Sequence, residues 1–258
     1  MRHVTPRVTL VGHTMPDYEA MLMYLSEEFG GSWHFNASDD HGASMSEFAG
    51  RLCYKSWAPG INPNVSRVRE SQDAYIANVI ASEHGSVLEH VTYNFLLQDV
   101  SRILTHEMVR HRAGTAFSQE SLRFVRVQEI PFWFPEWALA DDELLGRSVS
   151  ILHDLEEHQE WMRQHFGITD AMPFSRKKKL TSFMRRFLPE GLATQLLMTV
   201  NARELRHIMV ARTSRGAEEE IQLIARLMGD IARVTDPLLY ADISFADDGQ
   251  YVTQHPKI

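Results

Sequence analysis

The sequence predicts one α+β domain with several long helices, covering residues 1–258. Its 258 residues are within reach of a single elaborated domain, and 44% hydrophobic residues with 10% aromatics are enough for a substantial core. Short β-branched runs are combined with long segments whose apolar residues recur three and four apart. Because no repeat, low-complexity segment or linker separates these elements, a single folded unit is the simplest interpretation.

The first half of the chain is expected to contain two strands and four helices. Val8–His13 is an apolar run of strand length, and 91–100 is β-branched and aromatic enough to form a second strand. The helical segments show the three-and-four spacing of apolar residues. We expect these helices within 17–31, which ends at a glycine pair, and within 45–57, 68–85 and 101–112.

The second half is expected to be mainly helical. The segment 129–136 holds two prolines and three aromatic residues, which indicates an ordered connection before a long amphipathic helix over Leu139–Phe166. The basic run 176–180 precedes a helix over 182–189 that Pro189 ends, and such charge runs usually form a solvated face. Further helices are expected over 202–212, entered from 192–201, and over 217–234.

The charge and cysteine content narrow the class of protein. Asp and Glu outnumber Lys and Arg by 34 to 26, a formal net charge of −8, which disfavours a general nucleic-acid binder and leaves small anions as ligands of a local basic cluster. The single cysteine, Cys53, excludes an internal disulfide. Neither a signal-peptide apolar region nor a bilayer-spanning apolar run of about twenty residues occurs. We therefore expect a cytoplasmic protein without nucleic-acid or membrane partners.

A dense polar cluster begins at the end of the helix expected over 101–112. On that helix His106, Glu107 and Arg110 would share a face, so an exposed helix with an internal ion pair is one interpretation. The residues that follow favour a ligand site, because they supply guanidinium, hydroxyl and amide groups in a segment too polar for a core. They are Arg112, Thr115, Ser118, Gln119, Glu120, Ser121 and Arg123. Such donors suit a phosphorylated ligand that bears carbonyl groups.

A second cluster, HGSVLEH, occupies residues 84–90. Ser86 is a candidate helix cap with Glu89 three residues later, which is the spacing of a capping box. His84, Glu89 and His90 could be taken for metal ligands, but they match no standard zinc spacing. No metal site is therefore expected.

A third cluster lies in TVNARELRHIMVAR, residues 199–212. Its apolar residues Leu205, Ile208 and Met209 form a stripe that should be buried. A single histidine on such a helix is usually structural, but four polar groups on one short helix need partners. The four are Asn201, Arg203, His207 and Arg212, and Arg185 is a further candidate cation.

Common motifs of other enzyme classes are missing. The sequence contains no GxSxG, and Cys53 has apolar neighbours, so it is expected to be a buried and inert cysteine. Neither GxGxxG nor GxxxxGK[ST] occurs. Any dinucleotide is therefore held without a Rossmann unit.

With these residues in view, the chain resembles the flavin-dependent thymidylate synthases from about Phe48 to Leu227. Six blocks carry the resemblance, in the order FAGRLCYKSW, HGSVLEH, THEMVRHR, SQESLRF, RRFLP and TVNARELRHIMVAR. The family signature has seven residues between RHR and a serine, whereas eight separate Arg112 from Ser121 here. The resemblance implies an α/β core with a central sheet and long helices, assembled as a homotetramer with active sites between subunits.

The resemblance also implies site residues. FAD would be held by Ser86, Arg110, His111, Arg112, Asn201, Arg203 and His207. The pyrimidine nucleotide would contact Glu107, Arg110, Gln119, Glu120, Ser121, Arg123, Arg185 and Arg212. The implied catalytic set is Arg212, Arg110, His84 and Ser121. Arg212 would stabilise charge on the uracil carbonyl oxygens, His84 matches the family histidine near flavin and folate, and Ser121 would bind and orient, since no neighbouring base is evident.

The implied reaction is reductive methylation of uracil C5 in a nucleoside monophosphate. 5,10-Methylenetetrahydrofolate would give the carbon, reduced flavin the hydride, and NADPH would re-reduce the flavin; no cysteine nucleophile is needed. The expected substrate is dUMP. UMP is the alternative, because relatives in nucleoside-antibiotic pathways methylate both and because the extra residue, Phe124 and Gly216 depart from the family pattern. An alternative of another class is a flavin or nucleotide sensor without turnover.

Overall fold

The computed structural model describes residues 1–29, 40–123 and 129–258. Its residues cluster into two compact units. Unit 1 comprises Met1–Val8, Leu96–Arg110 and Phe117–Leu197, and unit 2 comprises Thr9–Phe95, His111–Ala116 and Met198–Ile258. The single domain over residues 1–258 stays a prediction.

A four-stranded sheet with the strand order β2, β3, β6, β4 is the largest β element among the described residues. Its central strands β3 and β6 run antiparallel: Ala202 N donates to Val91 O at one end of the pair, and Arg102 N donates to Leu192 O at the other. The strands of the protein are β1 (Arg2–His3), β2 (Arg7–His13), β3 (Thr92–Ser101), β4 (Thr115–Gln119), β5 (Pro131–Phe132), β6 (Ala193–Asn201), β7 (Ser244–Phe245) and β8 (Tyr251–Val252). The strands predicted at Val8–His13 and 91–100 are confirmed, and the segment 192–201, for which the sequence predicts no element, contains β6.

Nine α-helices occur in the described ranges, and the predicted mixture of helices and sheet is confirmed. They are α1 (Tyr18–Phe29), α2 (His41–Tyr54), α3 (Gln72–Ala81), α4 (Arg102–Met108), α5 (Glu136–Leu139), α6 (Asp142–His165), α7 (Phe174–Met184), α8 (Ala202–Arg212) and α9 (Glu219–Thr235). Short 3-10 helices cover Gly85–His90, Arg185–Phe187 and Pro237–Tyr240. Over these same ranges, no helix has both the length and the apolar character that crossing a bilayer requires.

Two helix predictions in unit 1 need correction. The helix expected over Leu139–Phe166 is broken near its start, because the Asp141 side chain accepts a hydrogen bond from Leu144 N at 3.0 Å and so caps a new helix, α6. The basic run 176–180 lies inside α7 rather than ahead of a helix. Local spacing of apolar residues could not reveal either boundary.

Two expectations about the polar clusters are also wrong. Arg110 does not share a helical face with Glu107, because α4 ends at Met108 and Arg110 lies in the turn beyond it. Ser86 is not a helix cap: the 3-10 helix Gly85–His90 begins after His84, and its start has no side-chain cap.

The predicted stripe on α8 forms part of the core of unit 2. Leu205, Ile208 and Met209 are fully buried, as expected, and α8 packs against α9. Gly229 on α9 makes this close approach feasible, since a Cβ atom there would lie 2.9 Å from the Met209 side chain. The stripe therefore fixes α8 and leaves its polar side chains at defined positions.

Two buried carboxyl groups join the start of α2 to the end of α9 in unit 2. Asp40 accepts hydrogen bonds from Ala43 N at 2.7 Å and Leu238 N at 2.8 Å, while Asp236 accepts one from Gly42 N at 2.7 Å. Burial raises the pKa of Asp40 to about 6, the backbone hydrogen bonds oppose this, and the charge of Asp236 adds to it.

Stability is expected to depend on the protonation of Asp40. Because the folded pKa of about 6 exceeds the ordinary 3.8, the folded protein holds this proton more tightly than the unfolded chain does. The stabilising contribution is full below pH 3.8 and is lost as the pH rises through about 6. Urea unfolding measures the difference in free energy of unfolding between wild type and Asp40→Asn. This difference should therefore decrease as the pH rises from 3.8 to about 6. A difference that is constant with pH would contradict the assignment.

Candidate active site

The third cluster begins at Asn201, which caps α8 in unit 2. Its side chain accepts a hydrogen bond from Glu204 N at 2.8 Å, and its backbone N donates to Gly114 O at 3.0 Å. Gly114 has a positive φ of 61° and lies so close to Asn201 that a Cβ atom would overlap the amide group. This contact joins the segment after RHR to the start of α8.

Arg203 contacts the second cluster and the last residues of the chain. Its Nη1 pairs with Glu89 Oε1 at 2.6 Å, and its Nη2 donates to Lys257 O at 3.3 Å. A Cβ atom at Gly85 would lie 2.8 Å from Arg203 Nε, so the glycine allows this approach. Glu89 therefore binds a guanidinium group and does not act as the second half of a capping box.

His111 lies between Glu204 and Arg212 and is only 8% exposed. Its Nδ1 is 2.9 Å from Glu204 Oε1, and its Nε2 accepts a hydrogen bond from Arg212 Nε at 2.8 Å. Because a guanidinium nitrogen only donates, the ring proton must lie on Nδ1 and is donated to Glu204. Burial lowers the pKa of His111, the hydrogen bond to Glu204 opposes this, and the neighbouring Arg212 and His207 lower it further. The imidazole is therefore neutral at neutral pH.

A cavity of about 340 Å³ lies in unit 2 beside these residues. Three of the predicted flavin ligands line it, and they offer an amide, a guanidinium and an imidazole group. This donor set and the volume fit part of a flavin nucleotide, whose phosphate and carbonyl oxygens accept hydrogen bonds. The lining residues are Glu89, Ala113, Gly114, Asn201, Arg203, Glu204, His207, Pro256, Lys257 and Ile258.

His111, Glu204 and His207 also have the composition of a metal site, since their ligand atoms lie within 4.8 Å of one another. Both ring nitrogens of His111 are already engaged, and the Arg212 guanidinium sits against one of them. A metal ion would have to displace one of these partners beside an existing positive charge. The donor set therefore suits a hydrogen-bond chain better than a metal ion.

The predicted nucleotide ligands of unit 1 lie on and after β4. Gln119 Nε2 donates to Thr105 Oγ1 at 3.1 Å, which ties β4 to α4. Ser121 Oγ accepts a hydrogen bond from Arg123 N at 3.4 Å, and this turn positions the hydroxyl without activating it. Arg123 is exposed. Glu107, Glu120 and Arg185 belong to the same unit, as does Arg110, whereas Arg212 belongs to unit 2.

Arg102 in unit 1 is a candidate ligand residue that the sequence patterns do not reveal. Its Nη1 atom is buried and has no hydrogen-bond partner in the part of the chain that the structure describes. Burial lowers the pKa of Arg102, the like charge of Arg185 adds to this, and Glu120 opposes it. A buried donor beside a second guanidinium suits an anion. The one signal in the sequence is an arginine in the first turn of a helix, where the helix dipole disfavours a cation.

The remaining predicted site residues are separate from the cavity lining. His84 is exposed and stacks on Tyr54, with ring centroids 5.9 Å apart, and Arg112 is also exposed. Ser86 is exposed as well. Cys53 is likewise exposed, so the expectation of a buried cysteine is wrong: its helix presents that side to solvent. Phe124 lies outside the described residues.

Gly216, the other departure from the family pattern, has no atoms within 4 Å of an added Cβ. Packing inside the described part of the chain therefore does not require a glycine at this position. The residue lies in the connection between α8 and α9.

Comparison with known proteins finds a family model and similar named proteins over most of the chain. A family model described as thymidylate synthase complementing protein, Thy1, matches residues 37–238. A flavin-dependent thymidylate synthase of Mycobacteroides abscessus is 32% identical over 229 residues, which are 85% of this chain and 87% of the relative. One of Mycobacterium leprae is 31% identical over 240 residues, which are 87% and 89% of the two chains.

Solved structures share the fold. A UMP/dUMP methylase, PolB, from Streptomyces cacaoi, bound with 5-Br dUMP, matches with a TM-score of 0.66 at 19% identity, over 93% of this chain and 96% of that chain. Thymidylate synthase X from Helicobacter pylori, with FAD and dUMP, matches with a TM-score of 0.58 at 20% identity, over 92% and 98%. The predicted fold is therefore confirmed, and the homotetramer remains a prediction.

These matches define the protein as a methyltransferase-type enzyme, in agreement with the sequence-based prediction. The chain belongs to the thymidylate synthase complementing protein family, and the two relatives named above are flavin-dependent thymidylate synthases. The resemblance found in the six sequence blocks is thereby confirmed.

Proposed function

We propose that this protein methylates uracil C5 in a pyrimidine nucleoside monophosphate, converting dUMP to dTMP with FAD, NADPH and 5,10-methylenetetrahydrofolate. The observation that carries the proposal is the match to flavin-dependent thymidylate synthases over 85–87% of the chain. The polar clusters agree with it, because they offer guanidinium, amide and hydroxyl donors of the kind that a nucleotide and a flavin need.

Unit 1 supplies the residues proposed for the nucleotide phosphate. Arg123 and Arg185 are exposed cations, and Ser121 adds a hydroxyl held in a turn. Arg102 joins them because its buried Nη1 lacks a partner among the described residues. Guanidinium groups bind phosphate oxygens through paired hydrogen bonds, which fixes both position and orientation. The other proposed nucleotide ligands in this unit are Glu107, Arg110, Gln119 and Glu120.

Arg212 is the residue proposed to make the uracil ring reactive. Methylation needs electron density at C5, which places negative charge on the ring carbonyl oxygens. A fixed guanidinium group stabilises that charge where it develops, and such pre-organised electrostatic contacts are usually the largest catalytic contribution. Arg110 and His84 are proposed to take part in the same reaction. His111 keeps Arg212 in place through the hydrogen bond at 2.8 Å.

FAD is proposed to bind residues of unit 2, namely Ser86, His111, Arg112, Asn201, Arg203 and His207, together with Arg110. When bound and reduced, the flavin supplies the hydride for the reaction. Arg203 is positioned for a phosphate oxygen, but Glu89 pairs with it at 2.6 Å, so an anionic ligand must compete with that carboxylate. Asn201 is held by its capping bond to Glu204 N and so offers its remaining amide donors in a defined orientation.

Turnover of the purified protein tests this function. With FAD, NADPH and methylenetetrahydrofolate present, labelled dUMP should give dTMP, and omission of the folate should abolish the product. A protein that binds flavin and dUMP without any turnover would instead be a sensor and would overturn the proposal.

UMP is the second candidate substrate. A structural neighbour is a UMP/dUMP methylase, and the extra residue before Ser121 alters a segment next to the proposed nucleotide ligands. One hydroxyl group in a permissive pocket changes specificity only modestly. Side-by-side kcat/KM values for dUMP and UMP decide which nucleotide is preferred. We propose that the protein prefers dUMP.

We also propose a cytoplasmic homotetramer with active sites between subunits and without nucleic-acid or membrane partners. The acidic net charge of −8 supports the lack of affinity for polyanions. Sedimentation equilibrium of the purified protein should give the mass of four chains, and a monomer would contradict the assembly.

Ser121→Ala is expected to retain methylation. Loss of one neutral hydrogen bond costs about 0.5–1.5 kcal/mol, so KM for the nucleotide should rise by roughly 2- to 10-fold. Ser150→Ala, an exposed serine on α6, is the matched control and should leave KM unchanged. Complete loss of methylation with intact nucleotide binding would show that Ser121 takes part in the chemistry.

A further inference from the structure

Glu204 is not among the proposed ligands of the flavin or the nucleotide, although it lies at the centre of the third cluster. It follows the proposed flavin ligand Arg203 on α8, and its side chain is directed at His111 rather than at solvent. Its carboxylate is 2.9 Å from His111 Nδ1, and His111 Nε2 is 2.8 Å from Arg212 Nε. The three side chains form a continuous carboxylate, imidazole and guanidinium chain within unit 2.

We infer that Glu204 is a positioning residue that keeps the ring proton of His111 on Nδ1 and thereby fixes the guanidinium group of Arg212. The inference deepens the proposed function, because it rests on the role of Arg212 toward the uracil ring. A neutral imidazole has one donor and one acceptor nitrogen. With the proton on Nδ1, Nε2 is an acceptor for Arg212. With the proton on Nε2, two donors would face each other and the hydrogen bond would be lost.

The hydrogen bond to His111 also determines how Arg212 is presented. It engages Nε of the guanidinium group, so one edge of the planar fork is fixed and its orientation is set. A group held in this way loses little freedom when its Nη atoms engage a ligand. Glu204 thus acts through His111 and need not touch the nucleotide itself.

Protonation of His111 would break the chain, since an imidazolium ring has no acceptor for Arg212 and carries a like charge. The charged and titratable groups that face His111 are Glu204, His207 and Arg212, all on α8. Burial lowers the pKa of His111 from its ordinary 6.5, although Glu204 partly opposes this. Methylation should therefore decline only in an acid limb below pH 6.5, when the ring gains its second proton.

Two substitutions at Glu204 separate the effect of its negative charge from the effect of its hydrogen-bond acceptor. In Glu204→Gln the amide oxygen still accepts from Nδ1, so kcat at neutral pH should stay within about threefold of wild type, a change of well under 1 kcal/mol. The acid limb should move to lower pH, because the carboxylate no longer favours the protonated ring. In Glu204→Ala the acceptor is lost, and kcat should fall by about 10- to 100-fold with a smaller change in nucleotide Kd.

A matched control and a second readout keep the test decisive. Glu160→Gln makes the same chemical change on the exposed α6 and should alter neither kcat nor the acid limb.

Nitrogen-15 NMR of the imidazole should show the proton on Nδ1 of His111 in wild type and in Glu204→Gln, and a mixture of tautomers in Glu204→Ala. The NMR result is independent of turnover, so an inactive wild type would contradict the proposed function without deciding this inference. An unmoved acid limb in Glu204→Gln, or wild-type kcat and a single Nδ1 tautomer in Glu204→Ala, would overturn it.

Discussion

Replacement of Arg212 by alanine is expected to lower kcat for uracil methylation by about 10²- to 10³-fold, the usual cost of removing one pre-organised group that stabilises developing charge. The effect should appear in kcat more than in KM, because the ring carbonyl oxygens become strongly negative only in the transition state. The fold should survive, since Arg212 lies at the last turn of α8 and is partly exposed. Single-turnover kinetics with saturating nucleotide would measure the loss.

Arg215→Ala is the matched control for this prediction. Arg215 lies three residues further along the chain, is exposed and pairs with Asp248 at 2.9 Å, so its removal changes the net charge equally without touching His111. It should leave kcat unchanged. Arg212→Lys should stay impaired, because an ammonium group cannot reproduce the guanidinium fork. Normal kcat in Arg212→Ala would remove the electrostatic step from the proposed mechanism.

The largest stability effect is expected for Arg206, a buried residue of α8. This side chain is 1% exposed and binds both carboxylate oxygens of Asp242 at 2.7 Å, and it also donates to Leu239 O. Burial raises the pKa of Asp242, but the hydrogen bonds from Arg206 and Thr253 hold it below its usual range. Arg206→Ala would leave this carboxylate without its cation and should lower the free energy of unfolding by about 3–5 kcal/mol.

The double variant Arg206→Met with Asp242→Asn isolates the cause of that loss. Removing both charges avoids an unpaired buried carboxylate, so the double variant should be clearly more stable than Arg206→Met, which has the same side chain at position 206 but leaves Asp242 without its cation. Denaturant unfolding of the three proteins measures the difference, and Arg215→Ala should unfold nearly as wild type because its pair is exposed. Equal destabilisation in Arg206→Met and in the double variant would mean that the unpaired charge of Asp242 is not responsible.

The helices and strands were largely predictable because they depend on local spacing. The stripe Leu205, Ile208 and Met209 repeats at helical intervals, and burial of such a stripe is required by any globular fold. Helix boundaries that depend on a single capping side chain were not predictable from this spacing. The cap by Asp141 that separates α5 from α6 depends on a rotamer and a backbone geometry that periodicity does not report.

The candidate site likewise contains residues that the sequence patterns reveal and residues that they do not. The six sequence blocks contain nearly every proposed ligand residue, because polar residues too numerous for a solvated face need a ligand and stand out in a local pattern. The blocks do not contain Arg102, whose significance lies in a buried Nη1 atom, and they suggest the wrong environment for Cys53. Burial of an individual side chain follows from the packing of distant segments, which no short motif contains.

The sequence by itself determined the family, the reaction class it implies and which residue types are present to bind a phosphate, a pyrimidine and a flavin. Only the tertiary structure decided that Glu204, 93 residues from His111, and Arg212, 101 residues from it, meet on the same imidazole ring. The physical reason is that hydrogen bonds act over about 3 Å, whereas sequence patterns report neighbours along one element. The proton position on His111, and the orientation of Arg212 that follows from it, exist only once α8 has packed in unit 2.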